Sequence, residues 1–507
     1  MPQKAIKTLV IVGGGSAGWM SASFLNHIFN LKEKQIDIKL IESSEVETIG
    51  VGEATIHSIR FFLSTIGISE REFMQKTQAI FKHGILFKDW SGQEKDEYYH
   101  PFEHPKVNDG IDVVRHWVNL NSNTEKSSRF DFSVSAQSLC ASQNKSPKSQ
   151  GNKDFEGYFP YGYHLDAAKF AHFLRDFSLT KGVKRIEGHV QEVILGTDGD
   201  IQRLILKNGL QIDGDFFIDC TGFSSVLMKA MGNKEWVDYS DSLLCDRAVT
   251  CQLEHNKENQ EHRPYTIATA QKSGWIWDID LQSRRGMGYV YSSSFCSTEQ
   301  AEIDLSVYAN TAREKLSFKH LQMKTGRMEK IWFKNCLAIG LSAGFIEPLE
   351  STGIYFIDMG IRFFGDYITS GNVNTLLIDK YNTVMGQLMD QSKDFISLHY
   401  TLSKRNDSQF WRAYQHDVPI SETLSANLTL WKHKIPTAID FSAQITQFTS
   451  ANYTYILYGM KYFPEPAVTS NLFTSEDRSM KNIEYVKSRS NQMNNKLPTM
   501  SQFLKNI

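Results

Sequence analysis

The sequence lacks most of what would tie it to a membrane, a nucleic acid or a disulfide scaffold. Its 507 residues include only six cysteines, at 140, 220, 245, 251, 296 and 336. They form no C-x-x-C pair and no metal-ligating spacing, so they read as free thiols of a reducing cytoplasm, and no metal is expected. No run of 18 apolar residues occurs, so no membrane-spanning helix is expected. Lys4 and Lys7 precede an apolar run too short for a signal peptide. Neither sign of charge is in excess, with 55 Lys and Arg against 57 Asp and Glu. That balance removes the basic footprint of a nucleic-acid partner. The chain has no internal repeat, and it is longer than one compact core usually holds, so two or more lobes are expected. Aromatic residues, in contrast, are abundant at 12%, enough for stacking pockets as well as a core.

The most informative stretch runs from Thr8 to Met20. Leu9-Val10-Ile11-Val12 reads as a short buried strand. Gly13, Gly15 and Gly18 then fit G-x-G-x-x-G and open a helix running to about Phe29. In such a motif the first glycine allows a tight turn and the second lets the backbone approach a pyrophosphate. The third lets helix pack on strand. The free N–H groups of Ser16 and Ala17 add an anion site at the helix start. A second strand, Ile36–Glu42, ends in Glu42 at about the spacing of the acid that holds a ribose hydroxyl. These features predict an adenine dinucleotide on Gly13, Gly15, Ser16, Ala17, Gly18 and Glu42. Gly50 and Gly52 permit a further close approach of backbone to the cofactor. No second fingerprint for NAD(P)H is present.

Further along, Phe216–Gly222 and Asn335–Gly340 are apolar strands ending in glycine turns. Three such strands predict a doubly wound, Rossmann-like parallel sheet with its ligand at the strand C-termini. Residues 245–295 alternate as an antiparallel substrate sheet. Beyond 355 the pattern is mainly helical. The expected division is therefore a dinucleotide-binding lobe over 1–360, including the antiparallel sheet, and a mainly helical C-terminal substrate region over 361–507. The block Phe130–Gly157, rich in Ser, Gln, Asn and Lys, reads as a long surface loop, and the polar tail after Pro464 carries little signal.

Trp275 and Trp277, two apart in Gly274-Trp275-Ile276-Trp277-Asp278-Ile279-Asp280, fall on one face of a strand. They could be a packed pair or a wall beside a flavin. Together with the glycine motif, they make the chain resemble the flavin-dependent halogenases that act on tryptophan and indole. That family carries W-x-W-x-I-P, here with Asp280 in place of the proline. Other matching segments are Gly50–Thr55, Phe81-Lys82 ahead of Trp90, Gly340–Phe345, Glu347–Ile354, His399-Tyr400 and Phe410–Arg412.

The resemblance implies that a flavin hydroperoxide and a halide ion, chloride or bromide, give hypohalous acid, which Lys82 guides to an electron-rich ring. It makes Glu350 the acid–base partner and puts the halide at Thr352 and Gly353, which agrees with the anion affinity of a helix start. Ala54, Val190, Leu341 and Ile354 would line the FAD, which makes the lobe over 1–360 an FAD-binding lobe. His100 and Phe102 would flank the indole, and Phe448 would stand where the tryptophan enzymes have Trp, just before Asn452-Tyr453. No match is found for groups that grip an amino acid's carboxylate and ammonium, so indole or a derivative is expected at least as much as free tryptophan. The resemblance also implies reduced FAD delivered by a separate NAD(P)H-dependent flavin reductase, and it leaves a homodimer open. Two other readings remain: an FAD-dependent aromatic hydroxylase, which would have no use for Lys82 or a halide, and a non-catalytic flavoprotein that binds an aromatic ligand.

Overall fold

The computed structural model describes residues 6–46, 52–93, 95–108, 110–121, 128–255, 261–368, 374–441, 445–465 and 475–507. Gly50, expected beside the cofactor, lies outside them. The chain forms two compact units, each assembled from three separate stretches. The first comprises Met1–Ala79, Leu165–Tyr239 and Lys324–Met389; the second comprises Ile80–His164, Ser240–Met323 and Asp390–Ile507. Residue 360 falls inside the helix Gly353–Tyr367 of the first unit.

The first unit is built on a six-stranded sheet. Its order is Lys184–Glu187, Asp37–Glu42, Thr8–Val12, Phe216–Asp219, Cys336–Ala338 and Trp332–Phe333. The first five strands run parallel and the last is antiparallel. Leu9, Val10, Ile11, Phe217 and Ile218 are fully buried, as expected of strands covered on both faces. Helix Ser16–Asn30 leaves the first strand and packs against helices Ala167–Thr180 and Gly353–Tyr367. The Rossmann-like sheet read from the glycine turns is present, and its glycine-turn strands all end at one edge.

The second unit holds a seven-stranded sheet of order Lys319–Gln322, Arg247–Glu254, Arg284–Tyr291, Gly274–Asp280, Thr266–Gln271, Gly84–Lys88 and Glu97–Pro101. The strands expected within 245–295 pair with one another antiparallel, and Thr266–Gln271 also runs parallel to Gly84–Lys88. One face buries Val249, Ile276 and Tyr289 against Ala301 and Leu305 of helix Thr298–Tyr308. Much of the rest is helical, including Asp390–Leu402 at the end of a long helix, Gln409–His416, Glu422–Trp431 and Ser450–Gly459.

One expectation needs correction. Phe130–Gly157 is not a surface loop throughout: it contains helices Phe130–Val134 and Ala136–Ser142, with Phe130, Val134, Ala136 and Cys140 buried. Its polar residues are consumed internally. Ser135 caps the second helix, and buried Gln137 donates to His83 Nδ1 at 2.8 Å and to the Pro160 carbonyl at 2.6 Å. In the tail after Pro464, where the sequence carries little signal, the described residues include helices Glu476–Lys496 and Met500–Leu504. Helix Glu476–Lys496 carries Arg489, whose guanidinium lies 2.6 Å from the buried Glu103 carboxylate.

Candidate active site

In the first unit the glycine turn has the shape a pyrophosphate requires. Gly13 sits at φ +118°, and a Cβ there would stand 2.2 Å from the Cys220 carbonyl oxygen. A Cβ on Gly18 would lie 1.8 Å from the Gly13 carbonyl oxygen, so helix and strand touch through bare backbone. At Gly15 a Cβ would meet nothing within 4 Å. That glycine faces open space at the start of a fifteen-residue helix with no side-chain cap and no acidic residue in its first turn. Unpaired N–H groups and the helix dipole there favour an anion. Gly340 packs on Ala17 from the third glycine turn. These residues fit the diphosphate of FAD.

Glu42 stands beside this cradle: a Cβ on Gly14 would lie 2.0 Å from its Oε2. Its carboxylate accepts from the Trp19 indole N–H at 3.2 Å and from Arg185 Nε. The acid is thus held by two donors, and Gly14, which the motif leaves free, must also be glycine. Of the other expected cofactor residues, Ala54 ends the strand Gly52–Ala54, Val190 begins Val190–Leu195, and Leu341 lies in the 3-10 turn Gly340–Ser342. All three are partly exposed, whereas Ile354 is buried. Asp219 was not singled out by its sequence context. It ends the Phe216–Asp219 strand fully buried and accepts from the Thr221, Leu227 and Met228 amides and the Ser342 hydroxyl. It joins two of the glycine turns.

Glu350 ends a buried 3-10 turn, Pro348–Glu350, and Ser351 follows at φ +61°. That left-handed step lets helix Gly353–Tyr367 begin with Thr352 as its cap. Thr352 is buried, and its Oγ1 has no hydrogen-bond partner among the described residues. Gly353 is exposed, and a Cβ there would meet nothing within 4 Å. An orphan hydroxyl beside an open helix start with no acid in its first turn fits a small anion such as halide.

In the second unit Lys82 ends the strand Ile80–Lys82, opposite Gly162 of its antiparallel neighbour. The side chain is fully buried, and its ammonium lies 5.4 Å from the centre of the Phe102 ring. An ammonium over an aromatic face is attracted by the ring's quadrupole. His164, also on the partner strand and fully buried, hydrogen-bonds Thr266 Oγ1 at 2.8 Å. Burial, reinforced by the Lys82 charge, pushes its imidazole down to about 3. The neighbour His83 is locked as a neutral ring: Nε2 donates to the Lys145 carbonyl at 2.8 Å and Nδ1 accepts from Gln137. Burial pushes it down to about 4.

His100 is buried on the strand Glu97–Pro101 and receives the Asn452 amide at Nε2 at 3.0 Å. Asn452 also accepts from the Thr449 N–H, so the cap of helix Ser450–Gly459 and the orientation of His100 depend on one side chain. Phe448 stacks on Phe395 at 3.8 Å and 12°, and His100 packs against Phe395 at 5.8 Å. Tyr453 meets the other edge of Phe395 at 4.9 Å. Phe395 is therefore the hub that joins His100 to Phe448, and no motif announced it. Trp275 and Trp277 share a strand face as their spacing required, with ring centres 6.3 Å apart. Gly288 makes room for the second ring, since a Cβ there would lie 2.1 Å from Trp277.

Residues 8–472 match the family described as tryptophan halogenase. The chain belongs to the tryptophan halogenase family. It is 36% identical over 448 residues to the tryptophan 6-halogenase SttH of Streptomyces toxytricini, covering 84% of each chain. The crystal structure of a tryptophan halogenase from Shewanella frigidimarina NCIMB 400 superposes with a TM-score of 0.92 at 33% identity, covering 100% of this chain and 98% of the other. BrvH, a flavin-dependent halogenase from Brevundimonas sp. BAL3, gives 0.88 at 31%, covering 99% and 100%. This halogenase is therefore a flavin-dependent enzyme that uses FAD and halide on a small aromatic substrate. No helix among the described residues is long and apolar enough to cross a membrane.

Proposed function

We propose that this halogenase transfers a halogen to the ring of indole or an indole derivative, with Lys82 holding the electrophile. Bound reduced FAD supplies, with dioxygen and halide, the hypohalous oxidant. The uncapped helix start at Gly15 and the bare glycine turn hold the diphosphate, and Glu42 the ribose. Thr352 and Gly353 hold the halide through a hydroxyl and backbone N–H groups. The Lys82 ammonium hydrogen-bonds the oxidant, or its amine accepts the halogen, in a buried site where competing water is scarce. Glu350 polarises the oxidant and takes the ring proton as a general base. His100, Phe102 and Phe448 offer flat apolar walls to the indole, which needs stacking more than charge.

The observation that carries this reading is the buried Lys82 ammonium 5.4 Å from Phe102. A second substrate, free L-tryptophan, is favoured by the relatives, which are named as tryptophan 6- and 7-halogenases. The test incubates the enzyme with FAD, an NADH-dependent flavin reductase and chloride or bromide, on indole and L-tryptophan separately, and reads products by mass spectrometry. Halogenated indole exceeding halogenated tryptophan supports the first substrate, and the reverse supports the second. Hydroxylated product without halogenation would replace the reading with the hydroxylase. Glu350→Gln is expected to slow halogenation at least about tenfold, given about 10²–10⁴ for a positioned acid or base. An unchanged rate would remove Glu350 from that role.

A further inference from the structure

Asp280 is the one position of the tryptophan-pair motif at which this chain departs from W-x-W-x-I-P, and its surroundings give the departure chemical content. It ends the strand Gly274–Asp280 and is 1% exposed. His255 directly follows the strand Arg247–Glu254, and His262 lies on the segment leading to Thr266–Gln271. The sheet thus brings three residues, scattered in sequence with no recognisable ligand spacing, to one end of the second unit. His255 Nε2 lies 3.0 Å from Asp280 Oδ1, and His262 Nδ1 lies 3.3 Å from Asp280 Oδ2. One donor atom from each of the three residues falls within 4.8 Å of the others.

We propose that His255, His262 and Asp280 form a binding site for a divalent transition-metal ion of the zinc class. Bonds of about 2.0 Å in a tetrahedral shell place neighbouring donor atoms about 3.3 Å apart. The two nitrogen–oxygen separations are close to that value. Two imidazoles and one carboxylate suit zinc and leave a fourth position for water. A second observation points into the same space. Asp280 Oδ1 is buried yet accepts no hydrogen bond from the described residues, because His255 Nε2 is directed to the Leu281 carbonyl at 2.9 Å. A buried carboxylate oxygen without a donor is costly, and a cation removes that cost.

The surroundings supply support without a competing ligand. The Arg263 N–H donates to Asp280 Oδ2 at 3.0 Å and fixes the carboxylate's orientation, as an outer-shell partner does. The guanidinium groups of Arg263 and Arg285 are both engaged by Asp278, at 2.7 and 2.5 Å. The His262 amide is anchored on the Ser501 hydroxyl at 2.9 Å. Metal binding at His255 Nε2 would shift the ring proton now donated to the Leu281 carbonyl onto Nδ1, so His255 would bind as its other neutral tautomer with no net loss of a proton.

The test uses the full-length enzyme, stripped with EDTA, and titrated with Zn²⁺ against a chromogenic chelator and with Co²⁺ by visible absorption. One ion per chain is expected, with the intense bands of a four-coordinate cobalt site. Asp280→Asn and His262→Gln are each expected to weaken binding at least about tenfold, since even outer-shell partners are worth about 10–100-fold. His320→Gln, an exposed histidine paired with Glu302 away from the cluster's residues, should leave it unchanged. A wild-type measurement independent of variant folding is Zn²⁺ protection of His255 and His262 from diethylpyrocarbonate, read by peptide mass spectrometry. Absence of stoichiometric binding, binding that survives both substitutions, or unprotected histidines would overturn the site.

Discussion

Phe395 lies flat on Phe448, ring centres 3.8 Å apart, and together they wall the space beside His100. A stacked pair of this kind contributes about 0.5–1.5 kcal/mol beyond its burial. The stack joins the end of a long helix to the residue just before another, so the aromatic wall is held by packing between helices.

The wall also depends on Asn452, which orients His100 and caps its own helix. Asn452→Asp keeps the acceptor for the Thr449 N–H but cannot donate to His100. Stability is expected to stay within about 1 kcal/mol, because the cap survives. The KM for the aromatic substrate should rise, and the ratio of ring isomers should change, because His100 loses its fixed orientation. Steady-state kinetics with isomer-resolved chromatography checks both; an unchanged isomer ratio would separate Asn452 from substrate placement.

The glycines of the first turn should respond differently to the same added methyl. Gly18→Ala drives a Cβ into the Gly13 carbonyl, and overpacking of this kind costs about 1–3 kcal/mol. Gly15→Ala meets no protein atom, so the fold should keep its melting temperature while FAD affinity falls. Thermal melts with and without FAD distinguish the two. Equal loss of apo stability in both variants would contradict this account of the cradle.

Stability should fall as the medium is acidified below the ordinary histidine range. Burial holds His83 at about 4 and His164 at about 3 in the folded chain, whereas both titrate near 6.5 when unfolded. Between about pH 6.5 and 4 the unfolded state therefore takes up protons that the native state refuses. The expected slope reaches about 1.4 kcal/mol per pH unit for each histidine, with no contribution above that window. Urea unfolding at about pH 7.5, 6 and 5 measures it, and His83→Gln should make the slope shallower.

The glycine turn, the alternation of Trp275 and Trp277 and the strands around them were legible because each signal is local. A turn needs glycine at one backbone position, and a strand repeats every two residues. The segment Phe130–Gly157 misled because composition reports solubility, whereas its Ser135 and Gln137 satisfy one another and His83 in the interior. Phe395 and the His255–His262–Asp280 cluster could not be read at all. Their neighbours come from remote parts of the chain, brought together only by the packed helices and the sheet. The interleaving of the two units hid the division of labour: the residues expected at the cofactor and halide fall in the first, and those expected at the substrate in the second.

The most direct test of the central claim is product formation by Lys82→Ala, supplied with FAD, flavin reductase, dioxygen, halide and the aromatic substrate found for the wild type. Mass spectrometry should find no halogenated product above background, while the variant still binds FAD and the reduced flavin is still oxidised by dioxygen. Halogenated product at a rate near that of the wild type would contradict the role given to Lys82.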